Sequence, residues 1–129
     1  MRLLLDTHIL VAFARIELSA IDGKARAAIA EPRNTSFVSA ASLGEIAIKT
    51  RIGKLDPMRP LEDLAGYFEA IGFVHLAVDH RHAVAAVDPV PATRDPFDRP
   101  LLAQCAVEGL RLVTTDRVLR DHPLSWQAD

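Results

Sequence analysis

Apolar and polar positions run in blocks whose period switches along the chain. Arg2-Leu3-Leu4-Leu5 is an apolar run halted by Asp6, the pattern of a short strand buried on both faces. Asp6-Thr7 then reads as an N-cap that opens a helix through His8 to about Ala14. A second helix is predicted from about Asp22 to Ala30, stopped by Pro32, and Ser36-Phe37-Val38-Ser39 reads as a strand. Ser39 or Ser42 can cap the next helix, Ala40 to about Arg51, which Gly53 closes. Beyond the loop bracketed by Pro57 and Pro60, Leu61, Leu64, Ala65, Phe68 and Ile71 recur at helical spacing up to Gly72. A strand is predicted from Phe73 to Val78 and a helix from Asp79 to about Val87, followed by a proline- and charge-rich loop over residues 88–96. Pro100 stands near the start of a helix that ends at Glu108-Gly109, where its missing N–H costs little. Arg111 to Thr114 is the last strand, and Asp116 begins a short helix.

Strands separated by helices imply right-handed crossovers and a parallel sheet, hence an α/β fold. In such sheets ligands bind beyond the carboxyl ends of the strands. Asp6 directly follows the first strand and Asp116 the last. Glu45 stands in the early turns of the helix after the second strand, and Asp98 at the start of the helix after the proline loop. Four acids from distant parts of the chain are thus expected at one sheet edge. Each alone has a plainer reading: Asp6, Asp98 and Asp116 as helix caps, Glu45 as an i,i+4 surface pair with Lys49 worth about 0.3–0.5 kcal/mol. Together they would repel one another and resist ionising. A hard divalent cation, Mg²⁺ or Mn²⁺, removes that conflict, because oxygen donors suit it.

Composition narrows the picture without changing it. The 129 residues fit a single domain over 1–129 with ordinary globular composition. Cys105 is the one cysteine, so no intrachain disulfide is possible; its apolar neighbours make it a buried structural thiol. No stretch has the length of a membrane span, and the first residues lack a signal-peptide pattern, so a cytoplasmic protein is expected. The net charge of −2 lacks the basic surplus of many nucleic-acid binders, so a nucleic-acid substrate must be argued from the site.

Four segments then carry a family resemblance. Leu3-Leu4-Leu5-Asp6-Thr7-His8, Ser39-Ala40-Ala41-Ser42-Leu43-Gly44-Glu45-Ile46-Ala47-Ile48-Lys49, Arg94-Asp95-Pro96-Phe97-Asp98-Arg99 and Thr114-Thr115-Asp116 resemble PIN domains, most closely the VapC-type toxins of bacterial toxin–antitoxin pairs. The resemblance covers essentially the whole chain in the family's order. It implies a three-layer PIN-like fold, about five parallel strands flanked by helices. It implies a Mg²⁺-dependent RNA endonuclease, with Mn²⁺ as a possible substitute, that hydrolyses phosphodiester bonds with metal-activated water. It also implies a VapB-type antitoxin partner and a homodimer. Carried over position by position, Asp6, Glu45, Asp98 and Asp116 form the catalytic set. Asp6 and Asp98 lead as metal ligands, and Asp116 joins them. Thr7 and Thr114 are expected to hydrogen-bond around this set, and Asp95 is an additional acid. Two departures stand out: Gly44 where relatives often carry a bulky aromatic, and Pro100 where an aliphatic residue is usual.

Lys49, Arg94 and Arg99 are the candidate RNA phosphate contacts; Arg51, Lys54 and Arg59 read better as a solvated helix end and loop. His8 is the one histidine beside a proposed ligand and reads as a packed or surface residue. His80 and His82 lack the i,i+4 spacing of a helical zinc pair, and no glycine-rich phosphate loop is present. Two alternatives compete. A phosphatase of the haloacid dehalogenase type would need a second Asp two residues after Asp6, where His8 stands. A non-catalytic binding module with the same fold would not require all four acids.

Overall fold

A computed structural model describes residues 1–93 and 95–128 of the chain. Four strands, β1 (Arg2–Leu5), β2 (Thr35–Ser39), β3 (Val74–Leu76) and β4 (Arg111–Val113), form one parallel sheet in the order β3-β2-β1-β4. The helices are α1 (Thr7–Arg15), α2 (Gly23–Ala30), α3 (Ala40–Arg51), α4 (Leu64–Ile71), α5 (His80–Val84), α6 (Asp98–Glu108) and α7 (Arg117–Arg120). No helix among the described residues is long and apolar enough to cross a membrane.

The apolar run at the start works because β1 is central. Leu3 and Leu5 join one core cluster with Ile9 and Leu10 of α1, Ile46 of α3 and Phe68 of α4. Leu4 faces the other way, into a cluster with Leu101, Leu102 and Cys105 of α6 and Leu119 of α7. The chain is therefore three layers, helix–sheet–helix, and each fully buried leucine contributes roughly 1.5–3 kcal/mol. Cys105 lies in the second cluster, where burial pushes its thiol up to about 12.

Among the described residues the expected sheet of about five strands has four. The fifth is reduced to a single bridge: Leu112 pairs with Ser125 in parallel, its N–H donating to Leu124 O (2.9 Å) and its carbonyl accepting from Trp126 N (2.8 Å). Pro123 has no N–H to extend that ladder. β3 is also shorter than the predicted 73–78. Among the described residues it pairs with β2 alone, in register Phe37↔Val74 to Ser39↔Leu76, and β2 ends there as Ser39 caps α3. Helix α5 stops at Val84 rather than near Val87, because Ala85 turns extended and Val87 packs into the second core. Gly72 and Gly109 do end α4 and α6, with φ of 108° and 68°, a region that favours glycine.

Gly44 lies inside α3, and a Cβ built there meets nothing within 4 Å. The open space would accept a larger side chain at this position. Gly44→Ala should stabilise the fold by about 0.5–1 kcal/mol, because glycine carries that penalty in a helix interior. A rise in the urea midpoint at constant slope checks it.

Candidate functional site

The site is built where β1 and β4 end side by side. Asp6 N donates to Val113 O at 3.0 Å, which holds the start of α1 against the end of β4. Asp6 is the N-cap of α1: Oδ1 accepts from Ile9 N at 3.1 Å, and Oδ2 accepts from the Thr114 hydroxyl. The cap reading was right but incomplete, since the residue is 5% exposed and has no basic partner among the described residues. Burial raises its pKa above the usual carboxylate value, against the opposing pull of Thr114 and Ile9. Thr114 continues as a hinge, its Oγ1 accepting from Asp116 N (3.0 Å), while Asp116 caps α7 through Val118 N (2.8 Å).

Asp98 is the first residue of α6, one position inside the cap at Phe97. Its Oδ2 accepts from Thr93 Oγ1 at 2.6 Å. Its pKa is raised by burial first, Thr93 opposing, and then by the negative charges of Asp95, Asp116 and Asp6. That repulsion places the three aspartates of the predicted set in one electrostatic neighbourhood, with Asp95 beside them. Asp95 Oδ1 accepts from Phe97 N at 2.9 Å and so shapes the turn into α6.

Glu45 is organised differently. It is 4% exposed, and both oxygens have donors: Thr7 Oγ1 to Oε1 at 2.7 Å and Lys49 Nζ to Oε2 at 2.5 Å. Thr7 Oγ1 also lies 3.0 Å from Ser42 Oγ. One hydroxyl proton cannot serve both, so Ser42 donates to Thr7 and Thr7 to Glu45. The i,i+4 pair with Lys49 exists, but on a buried face rather than a solvated one. Among the described residues no three Asp, Glu, His or Cys side chains are close enough to enclose an ion, which qualifies the expected convergence of all four acids. The physical reason is charge: Glu45 is drawn to Lys49, and uncompensated aspartates keep apart.

Thr7→Val should lose about 1–3 kcal/mol of stability, because it strands a buried carboxylate oxygen and the Ser42 hydroxyl together. Chemical unfolding of the variant checks this, and Ser42→Ala should cost less because it leaves the Glu45 bond in place.

Of the basic candidates, Lys49 reaches the acids, with its Nζ 5.8 Å from the Phe97 ring centroid as well. Arg99 is exposed on α6, and Arg94 lies outside the described residues. Arg59 is structural, its guanidinium 3.5 Å from the Tyr67 ring centroid and bonded to Ala14 O at 2.8 Å. His8 is exposed, and its charge opposes the rise at Asp6. His82 is buried, between Asp79 N (3.0 Å) and Glu108 Oε1 (3.0 Å), with no metal-like partner set. Sequence reasoning missed two positioning groups. Ser42 could have been found from its i,i+3 spacing to Glu45, whereas nothing in the sequence marks Thr93.

Comparison with known proteins agrees with this fold. A family model described as PIN domain matches residues 3–123. Among solved structures, the crystal structure of VapBC2 from Rickettsia felis bound to a DNA fragment from its promoter is similar in fold. The match is 14% identical, covers 97% of this chain and 96% of that one, and has a TM-score of 0.58. No curated protein sequence matches the chain.

Proposed function

The chain belongs to the PIN-domain family, and on that premise we propose that it is a Mg²⁺-dependent RNA endonuclease, the toxin of a toxin–antitoxin pair. PIN domains are generally nucleases that use divalent metal ions, which displaces the phosphatase alternative. One observation carries the reading. Asp98 is pushed up by burial and by Asp95, Asp116 and Asp6, and none of these acids has a basic partner within salt-bridge distance among the described residues. A protein that needed these acids only as helix caps would gain nothing from placing them within repulsive range of one another.

The donor set fits a hard cation: carboxylate oxygens with neither sulfur nor imidazole among them. Asp6, Asp98 and Asp116 would hold the ion, which would neutralise the cluster and polarise a phosphoryl oxygen. The chain's own part is positioning. Thr114 and Ile9 N–H fix Asp6, and Thr93 fixes Asp98. Ser42, Thr7 and Lys49 fix Glu45, which stands outside the direct ligand set and orients water at its edge. Arg99 and Arg94 are placed in sequence to meet RNA phosphates on either side of Asp98.

VapBC2 is seen bound to a DNA fragment from its promoter, which supports a VapB-type antitoxin as partner; a homodimer and a cytoplasmic setting complete the proposal. The test is direct: the purified chain should cut RNA with Mg²⁺ or Mn²⁺, leaving 5′-phosphate ends, and should stop with EDTA. Binding of RNA without metal-dependent cleavage would favour the non-catalytic module instead.

A further inference from the structure

Resting on that metal-dependent reading, we propose that Lys49 occupies the place of a second divalent cation, so that the site works with a single metal ion. The four predicted acids fall into two electrostatic groups. Among the described residues Asp6, Asp98 and Asp116 have no cation within salt-bridge distance, whereas Glu45 has one already. Lys49 Nζ lies 2.5 Å from Glu45 Oε2, and the other Glu45 oxygen is taken by Thr7 at 2.7 Å.

Lys49 is not committed to Glu45 alone. Its ammonium lies 5.8 Å from the ring centroid of Phe97, the residue that precedes Asp98, so it stands in the gap between α3 and the start of α6. The attraction of Glu45 first, and then of Asp95 and Asp98, holds the ammonium in its charged form. A cation bridging Glu45 to the Asp98 side is what a second metal would supply, since paired ions in such sites sit about 3.5–4 Å apart and share carboxylates. A divalent ion arriving there would meet a resident positive charge and a carboxylate with both oxygens engaged. The Glu45 side chain is 5% exposed and that of Lys49 33%, so salt screens the pair less than it would a surface pair. A lysine suits the role because its ammonium is a compact point charge.

Equilibrium titration with Mn²⁺, counting the free ion by electron paramagnetic resonance, tests this without reference to activity. Wild type and Lys49→Arg should each bind one Mn²⁺ per chain. Lys49→Gln, which leaves Glu45 uncompensated, should bind two. Two ions on wild type, or one on a folded Lys49→Gln, would overturn the role of Lys49 and leave the metal-dependent reading standing. No ion on wild type would overturn both. The wild-type count stands as a test even where Lys49→Gln does not fold.

Discussion

Asp98→Asn should lose at least about 10³-fold in RNA cleavage while folding at least as stably as the parent at neutral pH. The activity loss follows from removing a carboxylate that would hold the ion, whose charge stabilisation in the transition state is worth several kcal/mol. The stability half follows from the environment of Asp98. Asn keeps an oxygen to accept from Thr93 and removes the charge that burial, Asp95, Asp116 and Asp6 all oppose. The sign is fixed by linkage. A carboxyl whose folded pKa is raised gives its stabilising contribution fully below its unfolded pKa, about 3.9, and loses it as pH rises through the folded value. At pH 7 the parent therefore carries the whole cost and the variant does not. The stability gap between them should favour Asp98→Asn at pH 7 and shrink toward pH 4. Urea unfolding at both values measures it, and single-turnover cleavage of a labelled RNA measures the loss of activity.

Divalent metal should stabilise the wild-type chain by about 2.7 kcal/mol at a hundredfold excess over its dissociation constant, because the ion binds the folded site and not the unfolded chain. The melting temperature should rise by several degrees and return on chelation. Asp6→Asn should abolish most of that rise. Asp6 is the more deeply buried of the two raised carboxyls, and its cap bond to Ile9 N needs only an acceptor that Asn retains. The metal-induced rise should also shrink as pH falls from neutral, because protons compete for the raised carboxyls. An equal rise in wild type and Asp6→Asn would place the ion elsewhere.

Much of this was legible before the structure, and the parts that were not have physical reasons. The Leu3–Leu5 run followed by Asp6 marks both the central strand and the buried acid that ends it, because a strand buried on both faces has a distinctive pattern and polarity ends it abruptly. Glu45 was legible as an unusual acid among Ile46, Ala47 and Ile48, and it is buried. Its i,i+4 tie to Lys49, the plainer reading, exists with the Glu45 side chain buried. The end of α1 agrees to within a residue, about Ala14 expected against Arg15 observed, although its cap is not one that local sequence marks. No glycine marks it, and Ile16 takes the left-handed conformation at φ 54° with its side chain largely exposed. Strand lengths at β3 and beyond β4 depend on partners far away in sequence, which local propensity cannot register. Thr93 acts through a hydroxyl whose partner, Asp98, is set by the fold of the loop and by no sequence signal.

Transcriptome-wide mapping of RNA 5′-phosphate ends after expression of wild type and of Asp98→Asn tests the central claim most directly. New ends clustered at recurrent RNA positions in wild type and missing from Asp98→Asn are the predicted result. Indistinguishable maps from two equally abundant, folded proteins would contradict it.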